Sequence, residues 1–432
     1  MRKVFFLFVL SFIASTGKSQ SSYQTVYSKF VLYSEREKMD HFLREQTIQN
    51  TFSLPLNSET EYRFEGSCRA VSQFLIDDEY VRRGFEKLFI KYDSLQTETK
   101  RAYLEAMYAL SKNAYTSQVA KILKTEKEPK LYSICASYLF RAGFMTPADL
   151  LIEMIDRFPA YDSCDLLLEL QKYLNNNLKS KKNNTPDLSS LFAYTSGKGN
   201  KNVFSFQRWN RDFPGMAIVQ NEDGSFVRGD DGRLMIFQQL ARSGSDLPYF
   251  ITNGSTPQGA YCITGVATVR NNLIGPSPTL QLIMPYEGKW ETYFNIPPTE
   301  VWDSLTDPYP EYQQLFPSSW RTYGPMQEVY FAGKIGRTEV IAHGTTIDPV
   351  YFKTKSFYPL CPTQGCLCAR EDWNITTGKP IFSEQLGLIS AFRSAKGTNG
   401  YLYVINIDDQ QKAVSRDEIE KIVLQFERWR KK

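Results

Sequence analysis

Between about Ser21 and Leu178, apolar residues recur with the period of one helix face. Tyr103, Ala106, Met107 and Leu110 stand at i, i+3, i+4 and i+7; Leu131, Ile134, Cys135 and Tyr138 repeat the pattern, as do Leu151, Met154, Ile155 and Phe158. Thr146-Pro147 predicts a helix start, because the hydroxyl caps free amides and proline stands where no N–H is needed. Short amphipathic segments in succession, without a sequence repeat, predict a helical bundle over 21–178 rather than a helix-pair solenoid. Cys135, on an apolar face, reads as a buried thiol acting as a small hydrophobe.

The pattern then breaks. Residues 179–188 are polar, lack periodicity and read as a linker. From 189 to 432 the texture is that of strands. Ala217-Ile218-Val219 and Phe226-Val227 flank Asn221-Glu222-Asp223-Gly224, a hairpin signal. Further strands are predicted at 234–240, 249–252, 260–263, 280–284, 329–332, 340–342 and 401–405, and helices at 383–393 and 415–429. Residues 286–325, rich in Trp, Tyr and Pro, predict an aromatic lid or insertion. The fold class is therefore α+β: an N-terminal helical bundle followed by a β-rich domain.

Composition adds a compartment. Arg2 and Lys3, the apolar run Val4 to Ile13 and the small residues Ala14, Ser15 and Gly17 read as a secretory leader over 1–20. No later segment has the length of a membrane helix, which predicts that the protein is not an integral membrane protein. Three of the 51 basic residues, Arg2, Lys3 and Lys18, fall in that leader; against 47 acidic residues the remainder is close to neutral. No basic footprint for nucleic acid is left. The seven cysteines are an odd number, so in an oxidising compartment at least one is unpaired within the chain.

Histidine is scarce. His41 lies in a polar helical run, whereas His343 ends the apolar strand Val340-Ile341-Ala342 and precedes Gly344. Thr363-Gln364-Gly365-Cys366 places a glycine before a cysteine, where the backbone can turn tightly and aim amides at an oxyanion. A thiol needs a base or a positive field to react near neutral pH, and any Cys–His pair in this half must use His343. The alternative for Cys366 is a disulfide with Cys361 or Cys368. A bond between Cys361 and Cys368, flanking a free Cys366, is a third arrangement. No cysteine/histidine spacing of a familiar metal site is present.

Thr256-Pro257-Gln258-Gly259, His343-Gly344-Thr345 and Thr363-Gln364-Gly365-Cys366, in that order, resemble the L,D-transpeptidase catalytic domain over roughly Gly215 to Ile407. The chain departs from that family at Gln364, where His or Lys is usual, and at Cys368, where arginine is usual and Arg370 is the nearest. The resemblance implies an L,D-transpeptidase-like catalytic domain of the cell envelope or periplasm, acting on peptidoglycan stem peptides through a Cys366 thioester. It implies His343 as base, with Thr363 and Gly365 completing the catalytic set and the Gly365 and Cys366 amides as oxyanion donors. Gly344, Gln364, Arg370 and Trp320 are the substrate-binding candidates, Trp320 through the aromatic lid. No metal or organic cofactor is implied. The resemblance leaves three acyl acceptors open: an amine on peptidoglycan, an amine on protein, or water. Two rivals share the residues: an exported L,D-carboxypeptidase or amidase, and a non-catalytic peptidoglycan-binding module.

Overall fold

The computed structural model describes residues 25–178, 184–297, 300, 302, 303 and 306–431. The predicted leader and the first half of the linker, 179–183, lie outside them.

The predicted helical periodicity is borne out. Helices run over Glu61–Phe74, Glu79–Ile90, Thr97–Leu110, Thr116–Leu123, Pro129–Arg141, Pro147–Arg157 and Asp165–Leu178. Thr146 caps as expected: its hydroxyl accepts the Asp149 N–H at 3.2 Å, and the Asp149 carboxylate accepts the Thr146 N–H at 3.3 Å. Tyr103, Met107, Leu131 and Cys135 are all fully buried. Leu247, Phe250 and Ile251, from the β-rich half, belong to this same apolar cluster. The bundle is thus docked on the second half through a shared core. No described helix is long and apolar enough to cross a membrane.

The second half is built on a closed eight-stranded barrel. Its strands are β1 (Asn200–Arg208), β2 (Gly215–Gln220), β3 (Phe237–Leu240), β4 (Gly259–Ala267), β5 (Thr279–Ile283), β6 (Ala342–His343) and β7 (Leu367–Ala369), closed by β10 (Thr398–Asp408). Between β7 and β10, β8 (Glu371–Trp373) and β9 (Pro380–Ser383) form a separate two-stranded ribbon. The barrel order is β1-β10-β4-β5-β6-β7-β3-β2. Pairing is antiparallel except for β1 with β10 and β6 with β7.

Alternate residues of the strands feed two apolar clusters, as the pleat requires. Every barrel strand contributes to one of them, through Val203, Ala217, Phe237, Tyr261, Leu280, Ala342, Leu367 and Leu402, and the helix Glu384–Ser394 packs on it. Phe204, Phe206, Ile218, Tyr403 and Ile405 face the other cluster, with the helices Leu188–Thr195 and Arg416–Arg430.

Three expectations are corrected. Residues 249–252 form turns, not a strand, and their backbone serves a buried arginine described below. Residues 329–332 fall in the helix Glu328–Lys334; four apolar residues are too few to separate the two periods. The aromatic segment 286–325 is no open lid. Tyr293, Tyr312, Phe316 and Trp320 are buried in the second barrel cluster. The Tyr293 hydroxyl donates to the Ala260 carbonyl at 2.8 Å, and Trp320 Nε1 to Ser190 Oγ at 3.0 Å. Tyr293, Tyr312 and Trp320 can cover the barrel because their polar tips find partners there.

A buried cation secures the end of the barrel seam. Arg208 is fully buried; it meets both oxygens of Asp408 at 2.7 Å and both of Glu418 at 2.8 and 2.9 Å. This joins β1, β10 and the C-terminal helix. Burial pushes the Glu418 carboxyl up, but the Arg208 and Ser415 hydrogen bonds outweigh it and hold the group down at about 2. Arg208→Met strands two carboxylates, and the expected loss in urea unfolding at pH 7 is about 3–5 kcal/mol. Because the folded carboxyl is depressed, the Glu418 part of that loss is full above the ordinary carboxylate range. It shrinks as pH falls toward about 2. A difference between variant and parent that stays constant with acid would contradict this.

Candidate functional site

β6 is short because only Val340 to Ala342 are apolar before Gly344 intervenes. It runs parallel to β7 with Ala342 opposite Leu367 and His343 opposite Cys368. The Leu367 N–H donates to the Ile341 carbonyl at 3.0 Å, so the ladder begins one step earlier. Ala342 and Leu367 face the apolar cluster shared by all strands. By alternation His343, Cys366 and Cys368 project from the opposite face. His343 and Cys366 are therefore diagonal neighbours on adjacent strands, two residues apart in register.

His343 is buried, and its Nδ1 meets the Gly344 carbonyl. With Nδ1 as the donor, Nε2 carries the lone pair. Burial pulls the imidazole down to about 4, against the opposing pull of the Gly344 carbonyl. It is thus neutral, and a proton acceptor, at neutral pH. The turn after it is clamped by Glu371. That carboxylate accepts the Thr345 N–H at 2.9 Å and the Ser277 and Ser383 hydroxyls, each at 2.6 Å. A Cβ on Gly344 would lie 2.2 Å from the Glu371 carboxylate, so any side chain at 344 displaces that clamp. Burial raises the Glu371 carboxyl to about 7 despite its three donors.

Cys366 sits in a loop held by two hydroxyls. Thr363 Oγ1 accepts the Gly365 N–H at 3.0 Å and donates to the Cys366 carbonyl at 2.8 Å. Thr256 Oγ1 donates to the Gly365 carbonyl at 2.9 Å. Gly365 has φ +116°, a conformation that side chains oppose. A Cβ there would also stand 2.4 Å from Nη2 of Arg337 and 2.9 Å from the Gly254 carbonyl. The guanidinium of Arg337 is buried and donates to the carbonyls of Tyr249, Ser255 (3.1 Å) and Gly254 (2.9 Å).

The Cys366 thiol is partly exposed and donates to the Glu339 carbonyl at 3.4 Å. Burial pushes it up to about 11; the Ile341 N–H and the Arg337 charge pull it back, while Glu339 and Glu287 push it further up. Among the described residues no hydrogen bond joins Cys366 to His343. The pair is a neutral thiol beside a neutral imidazole, not a preformed ion pair. Cys368, although it stands opposite His343, is deeply buried, and burial holds its thiol well above the ordinary range. Cys366 is the reachable sulfur on this face.

The other predicted site residues fall as follows. Gly365 contributes shape rather than an oxyanion donor, because its N–H is taken by Thr363. The Cys366 N–H has no described partner. Gln364 is exposed, in a shallow crevice shared with Arg69 and Asn253. Arg370 is paired with Asp372 at 2.7 Å and lies over the Phe382 ring. Trp320 is buried against the helix Leu188–Thr195 and is no substrate contact. Cys361 and Cys368 are close, the Cys361 N–H reaching the Cys368 sulfur, but all seven cysteines are free thiols. Arg337 and Glu371 escaped the sequence reading. A lone arginine after Gly336 and a lone glutamate after Arg370 carry no local pattern.

Comparison with known protein families, with characterised proteins and with solved structures finds no match to this chain. The geometry of the site carries the functional reading.

Two outcomes check that geometry. Alkylation of Cys366 by iodoacetamide should accelerate steadily with pH and show no plateau below about 10, since the thiol is raised toward about 11. A plateau at mildly acidic pH would reveal a thiolate–imidazolium pair instead. Gly365→Ala should lower stability by about 1–3 kcal/mol, through strain at a positive φ and the collision with Arg337. A variant with parental stability and an unchanged Cys366 alkylation rate would show that the loop has no need of that conformation.

Proposed function

We propose that the chain is a cysteine acyltransferase of the L,D-transpeptidase type, acting in the cell envelope on peptidoglycan stem peptides. The observation that carries the reading is the convergence of three separated motifs on one spot. The Thr256 hydroxyl holds the Gly365 carbonyl, and Cys366 leaves that loop onto β7. His343, with Nε2 as its basic nitrogen, projects from the same face of the adjoining strand. A structural cysteine loop has no need of a desolvated, tautomer-locked histidine beside it.

In the proposed reaction, Cys366 turns from the Glu339 carbonyl toward His343. Nε2 takes the thiol proton as sulfur attacks an amide carbonyl of the stem peptide. The S–C bond forms and negative charge passes to the carbonyl oxygen, for which the Cys366 N–H, without a described partner, is the candidate donor. The C–N bond then breaks, and the imidazolium returns its proton to the departing amine. An acceptor amine then attacks the thioester while His343 takes its proton; the new C–N bond forms, the S–C bond breaks, and the imidazolium returns the proton to the Cys366 sulfur. Arg337 provides positive charge behind the sulfur throughout.

Incubation with a stem tetrapeptide should leave a thioester on Cys366, released by an amine and visible by mass spectrometry of the intact protein. Cys366→Ala should abolish adduct and product, and Cys366→Ser should be nearly as inactive. His343→Ala should lose on the order of 10²–10⁴-fold in rate, with partial recovery at high pH, where hydroxide makes thiolate. Full turnover by folded Cys366→Ala would sink the enzyme reading in favour of a binding module. Release by water alone, with no amine product, would redirect it to a carboxypeptidase.

A further inference from the structure

A cavity of about 970 Å³ opens between the helical bundle and the barrel, lined by neither Cys366 nor His343. Tyr108, Arg141 and Tyr173 form its helical wall; Arg211, Glu328 and Asn406 stand on the barrel side. We infer that this cleft is a binding site for the C-terminal carboxylate of a peptide, with Arg211 as its anchor and Asn406 as the acceptor for the last amide N–H.

Two buried polar atoms carry the inference. Arg211 follows β1 and is 8% exposed. Its Nη2 donates to the Thr256 carbonyl at 3.1 Å, while its Nη1 has no hydrogen-bond partner. Asn406, on β10, is 3% exposed. Its backbone N–H donates to Gln258 Oε1 at 2.8 Å and its carbonyl accepts from Thr185, but its side-chain Oδ1 has no partner. An unserved donor on a buried cation and an unserved buried acceptor each carry a free-energy cost that a ligand relieves. Both residues are tied to the one turn Thr256-Pro257-Gln258, so they offer a donor and an acceptor on a common frame.

The chemistry selects the ligand. A guanidinium binds a carboxylate through charge-assisted bonds. A carbonyl acceptor lining the same cleft suits the N–H that precedes a peptide's terminal carboxylate. The carboxylates of the wall are already served and do not compete for Arg211 by direct contact. Glu169 takes Lys172 at 2.6 Å and the Tyr249 hydroxyl at 2.5 Å, and Asp408 takes Arg208. Asp246 takes the Ser255 hydroxyl at 3.1 Å, and Glu328 takes the Gln258 backbone and side-chain donors at 2.9 and 3.1 Å. Tyr173, Trp209 and Phe331 supply apolar surface for the side chains. The inference does not depend on the reaction proposed for Cys366.

Isothermal titration calorimetry on the full chain tests it with N-acetyl-Ala-Ala and its C-terminal amide. The acid should bind saturably, and the amide at least about tenfold more weakly, the usual worth of one charge-assisted pair. Arg211→Met should bring the acid down to the affinity of the amide, and Asn406→Leu should weaken both. Cys366→Ala should bind like the parent, which separates this site from the acyl-transfer reading. Equal binding of acid and amide, no saturable binding of the acid in the millimolar range, or parental affinity in folded Arg211→Met would each overturn the inference. If Arg211→Met does not fold, the contrast between acid and amide in the parent decides alone.

Discussion

The guanidinium of Arg337 is the interaction on which the site depends. It is buried, and burial pulls it down to about 10, yet no described carboxylate comes within ion-pair distance of it. Three backbone carbonyls satisfy it instead, from Tyr249, Gly254 and Ser255. Dipoles of that kind solvate a cation without cancelling its charge, so its field still reaches the Cys366 sulfur. The same group occupies the space a side chain at residue 365 would need. The turns at 249–255, the glycine at 365 and the polarity behind the thiol are three consequences of one buried cation.

That arrangement leaves the proposed nucleophile and base mismatched at rest. Desolvation moves histidine down to about 4 and cysteine up to about 11, so each is held in its neutral form. Complete transfer of the proton before attack is uphill for such a pair. In the proposed reaction, transfer therefore accompanies formation of the S–C bond, and the charge appears on the substrate oxygen rather than on sulfur. A thiol kept protonated in this way also resists idle oxidation, which follows thiolate character. The cost is a histidine whose orientation must be imposed by the protein. Glu371 supplies it, fixing the Thr345 amide and so the Gly344 carbonyl that His343 Nδ1 uses.

Much of the scaffold was legible in the chain. The helical period marked the bundle, and the apolar runs at 217–219, 260–263, 280–284 and 401–405 lie on or within a residue of β2, β4, β5 and β10. The glycines at 344 and 365 flagged the histidine and cysteine, because close approach and positive φ leave a trace in residue type. The failures share a cause. Tyr249 to Thr252 and Val329 to Ala332 are apolar runs whose conformation is set by distant partners, and four residues carry no period. The aromatic stretch 286–325 looked like a lid because tyrosine and tryptophan serve equally as binding surface and as core. Only the donors and acceptors that meet their polar tips distinguish the two. Arg337 and Glu371 were invisible, since a buried charge owes its place to tertiary contacts.

The turn Thr256-Pro257-Gln258 joins these parts mechanically. Its threonine hydroxyl holds the cysteine loop while the carbonyl of the same residue holds Arg211 in the cleft wall. Its glutamine spans Asn406 on β10 and Glu328 at the head of a helix. The Tyr261 hydroxyl, from β4, donates to the Pro257 carbonyl at 2.8 Å and closes the turn from below. Arg211 uses Nη2 for that contact and keeps Nη1 for the cleft, so the turn and the cleft draw on different nitrogens of one guanidinium. One hydroxyl thus separates the cleft wall from the Gly365 carbonyl. The proline within the turn narrows its backbone freedom, which suits a turn whose hydrogen bonds hold the cysteine loop on one side and the cleft wall on the other.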